Sequence, residues 1–334
     1  MVNGRLRTPY KLQGAPASIL RAASEYRRFE RRGMLPPVIH RFQAMASACA
    51  VHLQRDGTSA MIALAAEAEV RRIEARYSRY RADSELARIN AIAAAGGSTD
   101  VDEETAGLIA YAQACFRSSA GAFDITSGLL RRAWNFSSAR LPEQGEIDAL
   151  LPRIGLDKVM LSGRRLCFAV AGMELDLGGL GKEYAADRAA EVCSALGAGH
   201  GFVDLGGDIR VIGPQADGEP WRIGIRDPRD AALLVAEVAL SEGALATSGD
   251  YERFVEVDGR RYCHIIDPRS GWPARGLSSA TVISDRCLVA GTLSTAAMLR
   301  GREAIVWLQR LGVRHIIVDD QGTCSSTEPL SVRP

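Results

Sequence analysis

The sequence predicts an α+β fold of mixed, largely antiparallel sheets with flanking helices. Strand-like runs at 221–225, Leu234–Leu240 and 244–247 follow one another with gaps too short for helical crossovers, which makes antiparallel neighbours the expectation. A hairpin reads at 158–161 and 166–170 around Gly163-Arg164. Residues 60–77 and 102–118 carry apolar residues at helical spacing and read as amphipathic helices.

The bulk composition sets limits. With 334 residues, 47% of them hydrophobic, the chain can bury a sizeable core in one large domain or two lobes. A net charge of +1 argues against a nucleic-acid binder held by counterion release. Cys49, Cys115, Cys167, Cys193, Cys263, Cys287 and Cys324 are scattered, odd in number and never in a C-x-x-C pair, as expected of reduced thiols. No apolar run reaches the length of about 18 residues that a transmembrane helix needs. Residues 1–36 are arginine-rich without an apolar signal segment, so they read as a basic, disordered leader and the expected location is cytoplasmic. Met34, just before the first core-like sequence, is an alternative start.

In chain order, a strand-like run at 50–53 precedes the Asp56-Gly57 turn and the first long helix. Asp83 and Ser84 are N-cap types for a short helix ending near Asn90, with a loop over 91–101. Residues 121–130 form a turn carrying Asp124 and Thr126, and 146–151 a short helix. Residues 174–176 close a strand-like run, followed by Gly178, Gly179 and Gly181 and then a helix from Lys182. Residues 201–213 read as a strand broken at Gly206-Gly207, where paired glycines suggest a close approach of backbone or ligand. A dense polar stretch spans 248–273. Further on come a strand at 280–284, helices at 289–300 and 303–311, and a strand at 313–318. The main domain is expected over 37–325, with a polar tail at 326–334.

The central stretch organises the rest. Strand, glycine turn and a helix opening with a lysine is how a chain builds a phosphate cradle, because bare N–H groups and the helix dipole face an anion. It is neither a Walker A loop nor a G-x-G-x-x-G fingerprint. Asp124, Asp176, Asp208, Thr247, Ser248, Asp250 and Asp267 also sit at or near turns. Turn chemistry explains any one of them, whereas several clusters at strand ends in one chain point to binding.

The motifs FQAMAS, YRADSELARIN, GAFDITSGLL, LDLGGLGKEYAADRA, FVDLGGDIRVIG, TSGDYERF, HIIDPRSGWP and AGTLSTAAML, in this order, make the chain resemble the ApbE family of FAD:protein FMN transferases. The resemblance covers residues 41 to about 311. It implies an ApbE-like (T-fold-like) architecture with FAD in a cleft between lobes. It also implies magnesium-dependent transfer of FMN from FAD to a Thr or Ser of an acceptor protein, with AMP released. Phosphoryl transfer of this kind needs charge neutralisation and a positioned hydroxyl.

Carried over by position, the resemblance implies that Met45, Tyr80, Ser84, Ala122, Phe123 and Asp124 line the FAD site. Gly178, Gly179, Gly206, Gly207, Thr247, Ser248 and Gly249 would join them. Lys182 would lie near phosphate and Asp187 near the adenosine. His264 would be the general base, with Lys182 and Asp250 also catalytic. Without its motif, His264 reads as a core histidine in a strand. His40, His52, His200 and His315 read as structural or surface residues.

Two departures stand out. The family pattern A-D-x-L-x-T, whose Asp and Thr are implied metal ligands, here reads with Gly291 at the Asp position and keeps Thr295. The usual A-K-G is Gly181-Lys182-Glu183. The carbonyl of Gly181 can still bind metal. Glu183 either restores the charge missing at Gly291 or is a solvated helix residue in a local ion pair. If the charge is not restored, the expected protein is an FAD-binding relative with weak or no transfer, or one that hydrolyses FAD to FMN and AMP.

Overall fold

The computed structural model describes residues 37–138 and 140–328. The expected leader, 1–36, and the tail from 329 lie outside them. Ser326 ends an edge strand, Thr327 N–H bonds to the His315 carbonyl at 3.0 Å, and Glu328 pairs with Arg314 at 2.7 Å. Residues 326–328, expected in the polar tail, are thus bonded to the strand Arg314–Asp319.

An eight-stranded sheet forms the centre. Its strands are β1 (Val38–Ala44), β2 (Ser47–Leu53), β6 (Gly201–Leu205), β7 (Asp208–Gly213), β10 (Ala244–Gly249), β13 (Leu277–Ser284), β14 (Arg314–Asp319) and β15 (Cys324–Ser326), in that spatial order. Every strand pairing among the described residues is antiparallel. The numbering gaps are filled by a small sheet of β3 (Ser98–Asp100), β4 (Val159–Ser162) and β5 (Arg165–Phe168), and by hairpins β8 (Trp221–Arg226)–β9 (Leu234–Leu240) and β11 (Phe254–Val257)–β12 (Arg260–Cys263).

Helices α1 (Ser59–Tyr77), α5 (Gly181–Ala195) and α6 (Cys287–Arg300) cover one face of the sheet. On α1, Ile62, Ala66, Val70, Ile73 and Tyr77 recur every three or four residues and are all buried. The partner α5 presents Ala185, Ala186, Ala189 and Ala190, whose small side chains let the two helices approach closely. The other sheet face is covered by β8–β9, through Ile223, Ile225, Val238 and Leu240 against Ile209, Val211 and Ile316.

The remaining helices are α2 (Glu85–Ala94), α3 (Glu103–Ser118), α4 (Gln144–Asp148) and α7 (Ala304–Arg310). Several expected boundaries move. Residues 38–44 are a full strand, since their partly buried edge hairpin shows too little apolar alternation to announce itself. The expected loop 91–101 holds the last turn of α2 and β3. The 201–213 run is two strands. Gly206 (φ +67°) and Gly207 (φ +93°) form the two-residue turn between them, a conformation that favours glycine at both places. Residues 174–176 form no strand; Leu175 is instead held by both ends of the Asn90 amide, at 2.8 and 2.9 Å. Among the described residues no helix is long and apolar enough to cross a membrane.

A third cluster, with Leu129, Trp134, Ile147 and Tyr262 buried in it, supports the loop that follows β12. Trp134 Nε1 donates to the Gly271 carbonyl at 2.8 Å, and Gly271 has φ +72°. A Cβ there would lie 2.2 Å from Ile147 Cγ2. Gly271→Ala should therefore cost about 2–4 kcal/mol, from overpacking plus left-handed strain. Urea denaturation of the full chain measures it, and a change within about 0.5 kcal/mol would show that the loop simply moves aside.

Candidate active site

The glycine turn is built on ion pairs, with Glu174 buried among them. Glu174 takes Arg131 and, at 3.2 Å, Arg132; Asp176 takes Arg79 and the Gly178 N–H, the latter at 2.9 Å. Phe123 lies beneath Gly179, 3.7 Å from where a Cβ would stand. The turn delivers the chain to the first turn of α5, whose N-cap Leu180 offers no side-chain hydrogen bond.

Lys182 Nζ lies 2.9 Å from Asp208 Oδ2. Burial works against the lysine charge, but Asp208 and Glu183 outweigh it and raise the pKa above the usual lysine range. Glu183 and Asp208 are 7% and 3% exposed. Burial raises both pKa values and Lys182 pulls them down, while Asp208 adds to the rise at Glu183 and Asp204 to that at Asp208. Glu183 Oε2 has no hydrogen-bond partner, and Asp208 Oδ2 meets Lys182 as a charge without a directed hydrogen bond. Gly206 keeps this space open: a Cβ there would lie 2.8 Å from Ser47 Cβ and 3.7 Å from Lys182 Nζ. The approach at the paired glycines is to side chains and at Gly206 alone, since nothing lies within 4 Å of a Cβ built at Gly207. Burial first, and then the charges of Asp208, Asp187 and Glu183, hold the Cys287 thiol well above its ordinary pKa and make it a poor nucleophile.

Asp187, on α5, accepts the N–H groups of Cys287 (2.9 Å) and Leu288 (3.0 Å), and Arg210 Nε stands 3.3 Å away. It thus caps α6 and ties it to α5. At the end of β10, Thr247 bonds to Thr281 at 2.8 Å, and Ser248 bonds to Ser294 and Thr295 on α6 at 2.8 and 3.1 Å. Gly249 is required by the Tyr251 ring, 2.4 Å from a Cβ built there. Asp250 donates its N–H to Ser278 at 2.9 Å. Its Oδ1 makes no hydrogen bond, with Arg261 3.6 Å away, and burial raises its pKa against the pull of Arg261 and Arg229.

His264 is not a core histidine; it is exposed, one residue past β12. Its Nδ1 lies 3.2 Å from the Arg253 carbonyl. A carbonyl can only accept, so Nδ1 carries the proton and Nε2 keeps its lone pair. Surrounding protein desolvates the ring and lowers its pKa, the Arg253 carbonyl opposes this, and the charges of Arg253 and Lys182 lower it further.

The structure brings together Lys182, Glu183, Gly206 and Gly291, and joins Ser248 to Thr295. Other predicted residues have structural duties. Ser84 caps α2 through the Ala87 N–H at 3.0 Å. Asp124 closes its turn through the Thr126 N–H and hydroxyl, each at 2.7 Å. Met45 and Ala46 turn β1 into β2 with φ of +52° and +58°, held by the Met45 N–H on Glu74. Ala122 is buried beside Phe123, and Tyr80 is 79% exposed with Arg79 over its ring at 4.9 Å. Glu183 is not a solvated helix residue. Sequence reasoning missed Asp208 as the partner of Lys182, although it directly follows the paired glycines. Ser294 was missed because one serine on an apolar helix carries no signal.

The central eight-stranded antiparallel sheet with its flanking helices is a fold that known proteins share. The ApbE family model matches residues 45–317, and the chain belongs to that family. It is 31% identical over 270 residues to the FAD:protein FMN transferase of Haemophilus influenzae, covering 77% of this chain and 78% of that one. The Vibrio cholerae FAD:protein FMN transferase is 33% identical over 254 residues, covering 73% and 76%. Among solved structures, the ApbE protein of Thermotoga maritima superposes with a TM-score of 0.82 at 34% identity, covering 87% of this chain and 97% of that one. The apo flavinyl transferase ApbE of Pseudomonas stutzeri gives 0.78 at 32% identity, covering 88% and 96%.

Asp187→Ala removes the cap of α6 and leaves Arg210 without its carboxylate. A loss of about 1–3 kcal/mol is expected in chemical denaturation. Stability unchanged within error would mean that α6 is held by packing alone.

Proposed function

We propose that the chain transfers FMN from FAD to a Thr or Ser hydroxyl of an acceptor protein and releases AMP. The observation that carries this reading is the pairing of a base-competent histidine with a buried lysine–carboxylate cluster. His264 Nε2 has its lone pair free, and the field of Lys182 reaches it. In the reaction His264 takes the proton of the acceptor hydroxyl. The hydroxyl oxygen forms a bond to the FMN phosphorus as the pyrophosphate P–O bond to AMP breaks. Lys182 offsets the charge on the phosphates, and the uncapped first turn of α5 offers N–H groups to them.

FAD is the substrate on this reading. Met45, Tyr80, Ala122, Phe123, Gly178, Gly179, Gly207, Thr247 and Gly249 shape its site, while Ser84, Asp124 and Asp187 fix the backbone around it. Asp250 positions the loop before β11. The residues also fit magnesium, because Glu183 Oε2 is a buried oxygen with nothing to bond. The Gly181 carbonyl, the Thr295 hydroxyl and Glu183 would hold it, all hard oxygen donors. Bound there, the cation would neutralise pyrophosphate charge and improve the AMP leaving group. The second reading, an FAD binder without transfer, rests on the absence of a carboxylate at Gly291; the buried carboxylate of Glu183 beside that glycine favours the transferase.

The test incubates the full chain with FAD, Mg2+ and a Thr-containing acceptor, following AMP and flavinylated product together. Both should appear with Mg2+ and both should vanish with EDTA. FAD retention without AMP under any divalent cation would replace the transferase with the binding reading, and AMP without labelled acceptor would indicate hydrolysis. His264→Gln should lower kcat about 100-fold or more while FAD binding persists. Because the His264 pKa lies below its ordinary value of 6.5, the neutral base predominates at pH 7 and is lost only as pH falls through that lowered pKa. The acid limb of kcat/KM should therefore fall below pH 6.5 and be absent in His264→Gln. An acid limb unchanged in that variant would assign it to another group.

A further inference from the structure

Gly291 sits inside α6, where the backbone has no need of glycine: it is not among the residues with positive φ. Glycine inside a helix costs about 1 kcal/mol relative to alanine, so a different cause has to be found. A Cβ at 291 would lie 2.4 Å from Glu183 Cγ, 2.7 Å from Oε1 and 2.8 Å from Cδ. Glu183 thus occupies the volume that any side chain at 291 would fill. What stands there is a carboxylate, nearly fully buried, with Oε2 unpartnered.

Its surroundings are short of positive charge. Glu183 and Asp208 are two buried acids, and Lys182 is the cation facing them. Burying a carboxylate with an empty acceptor is costly unless something supplies the missing charge. Thr295 lies one helical turn from Gly291 on the same face of α6, so its hydroxyl shares that side of the helix interface. The Gly181 carbonyl opens the turn that carries Glu183.

The geometry points to Glu183 and Gly291 as a single unit, in which α5 supplies the anionic ligand of a divalent cation through an opening that only glycine on α6 leaves. This rests on the metal-dependent transferase reading above. The unit accepts an acid at one of its two positions and has no room for side chains at both. It also explains why Glu183 is buried on the first turn of α5, where a carboxylate would otherwise face solvent and complement the helix dipole.

Manganese(II) is the probe. It is titrated into the FAD-loaded full chain, with free Mn2+ read by electron paramagnetic resonance and folding checked by thermal melting. Wild type should bind Mn2+, and the isosteric Glu183→Gln should weaken binding about tenfold or more. Gly291→Asp alone should melt lower and bind more weakly, because its side chain meets Glu183. The exchange variant Glu183→Gly/Gly291→Asp should return Mn2+ affinity to within about threefold of wild type, the charge count being the same. Wild-type affinity in Glu183→Gln overturns the assignment while leaving the metal-dependent reading standing. An exchange variant that melts like wild type without recovering affinity overturns the reciprocal unit. A wild-type chain that holds FAD but no Mn2+ removes the metal from the function as well.

Discussion

Asp187 bonding to the first N–H groups of α6 is the contact on which the site depends. It fixes α6 against α5, and those two helices carry Lys182, Glu183, Gly291 and Thr295 between them. Both carboxylate oxygens are used, one of them also facing Arg210 on β7, so helix, helix and sheet meet at one buried group. A charge-assisted cap of this kind is stronger and more directional than apolar packing, which by itself would let the helices slide. The relation of Gly291 to Glu183 needs that precision, because the side chain has little room to spare.

Glycine does two separate jobs around this centre. At Gly206 and Gly207 it permits the left-handed turn that ends the β6–β7 hairpin beside Lys182. At Gly128, Gly249 and Gly291 the backbone conformation is ordinary and the missing Cβ makes room for Asp176, Tyr251 and Glu183. The second group lets acidic and aromatic side chains pack directly against the backbone of a neighbouring segment.

The electrostatics of the cluster follow from burial. A lysine among two carboxylates keeps its charge, and the carboxylates hold their protons more readily than in water. The thiol of Cys287 in the same place is silenced by burial and, after it, by the neighbouring carboxylates. His264 lies outside this dry centre, exposed to solvent, with its Nδ1 turned to the Arg253 carbonyl.

Much of this was written in the sequence, in a local form. The 3.6-residue recurrence of Ile62, Ala66, Val70 and Ile73 marks α1, and short gaps between β-like runs require antiparallel neighbours. The ordered motifs mark the family and single out Lys182, His264, Thr295 and the anomaly at Gly291. These are properties of neighbouring residues, and periodicity or spacing records them. Which distant residues meet is a different matter. That Asp208 is the partner of Lys182, that Asp187 caps a helix about a hundred residues later in the chain, and that Glu183 fills the space at Gly291 all depend on how α5, α6 and the sheet pack. A sequence gives each side chain its chemistry, but burial and distance set its charge state and its partner, and those exist only once the chain has closed on itself.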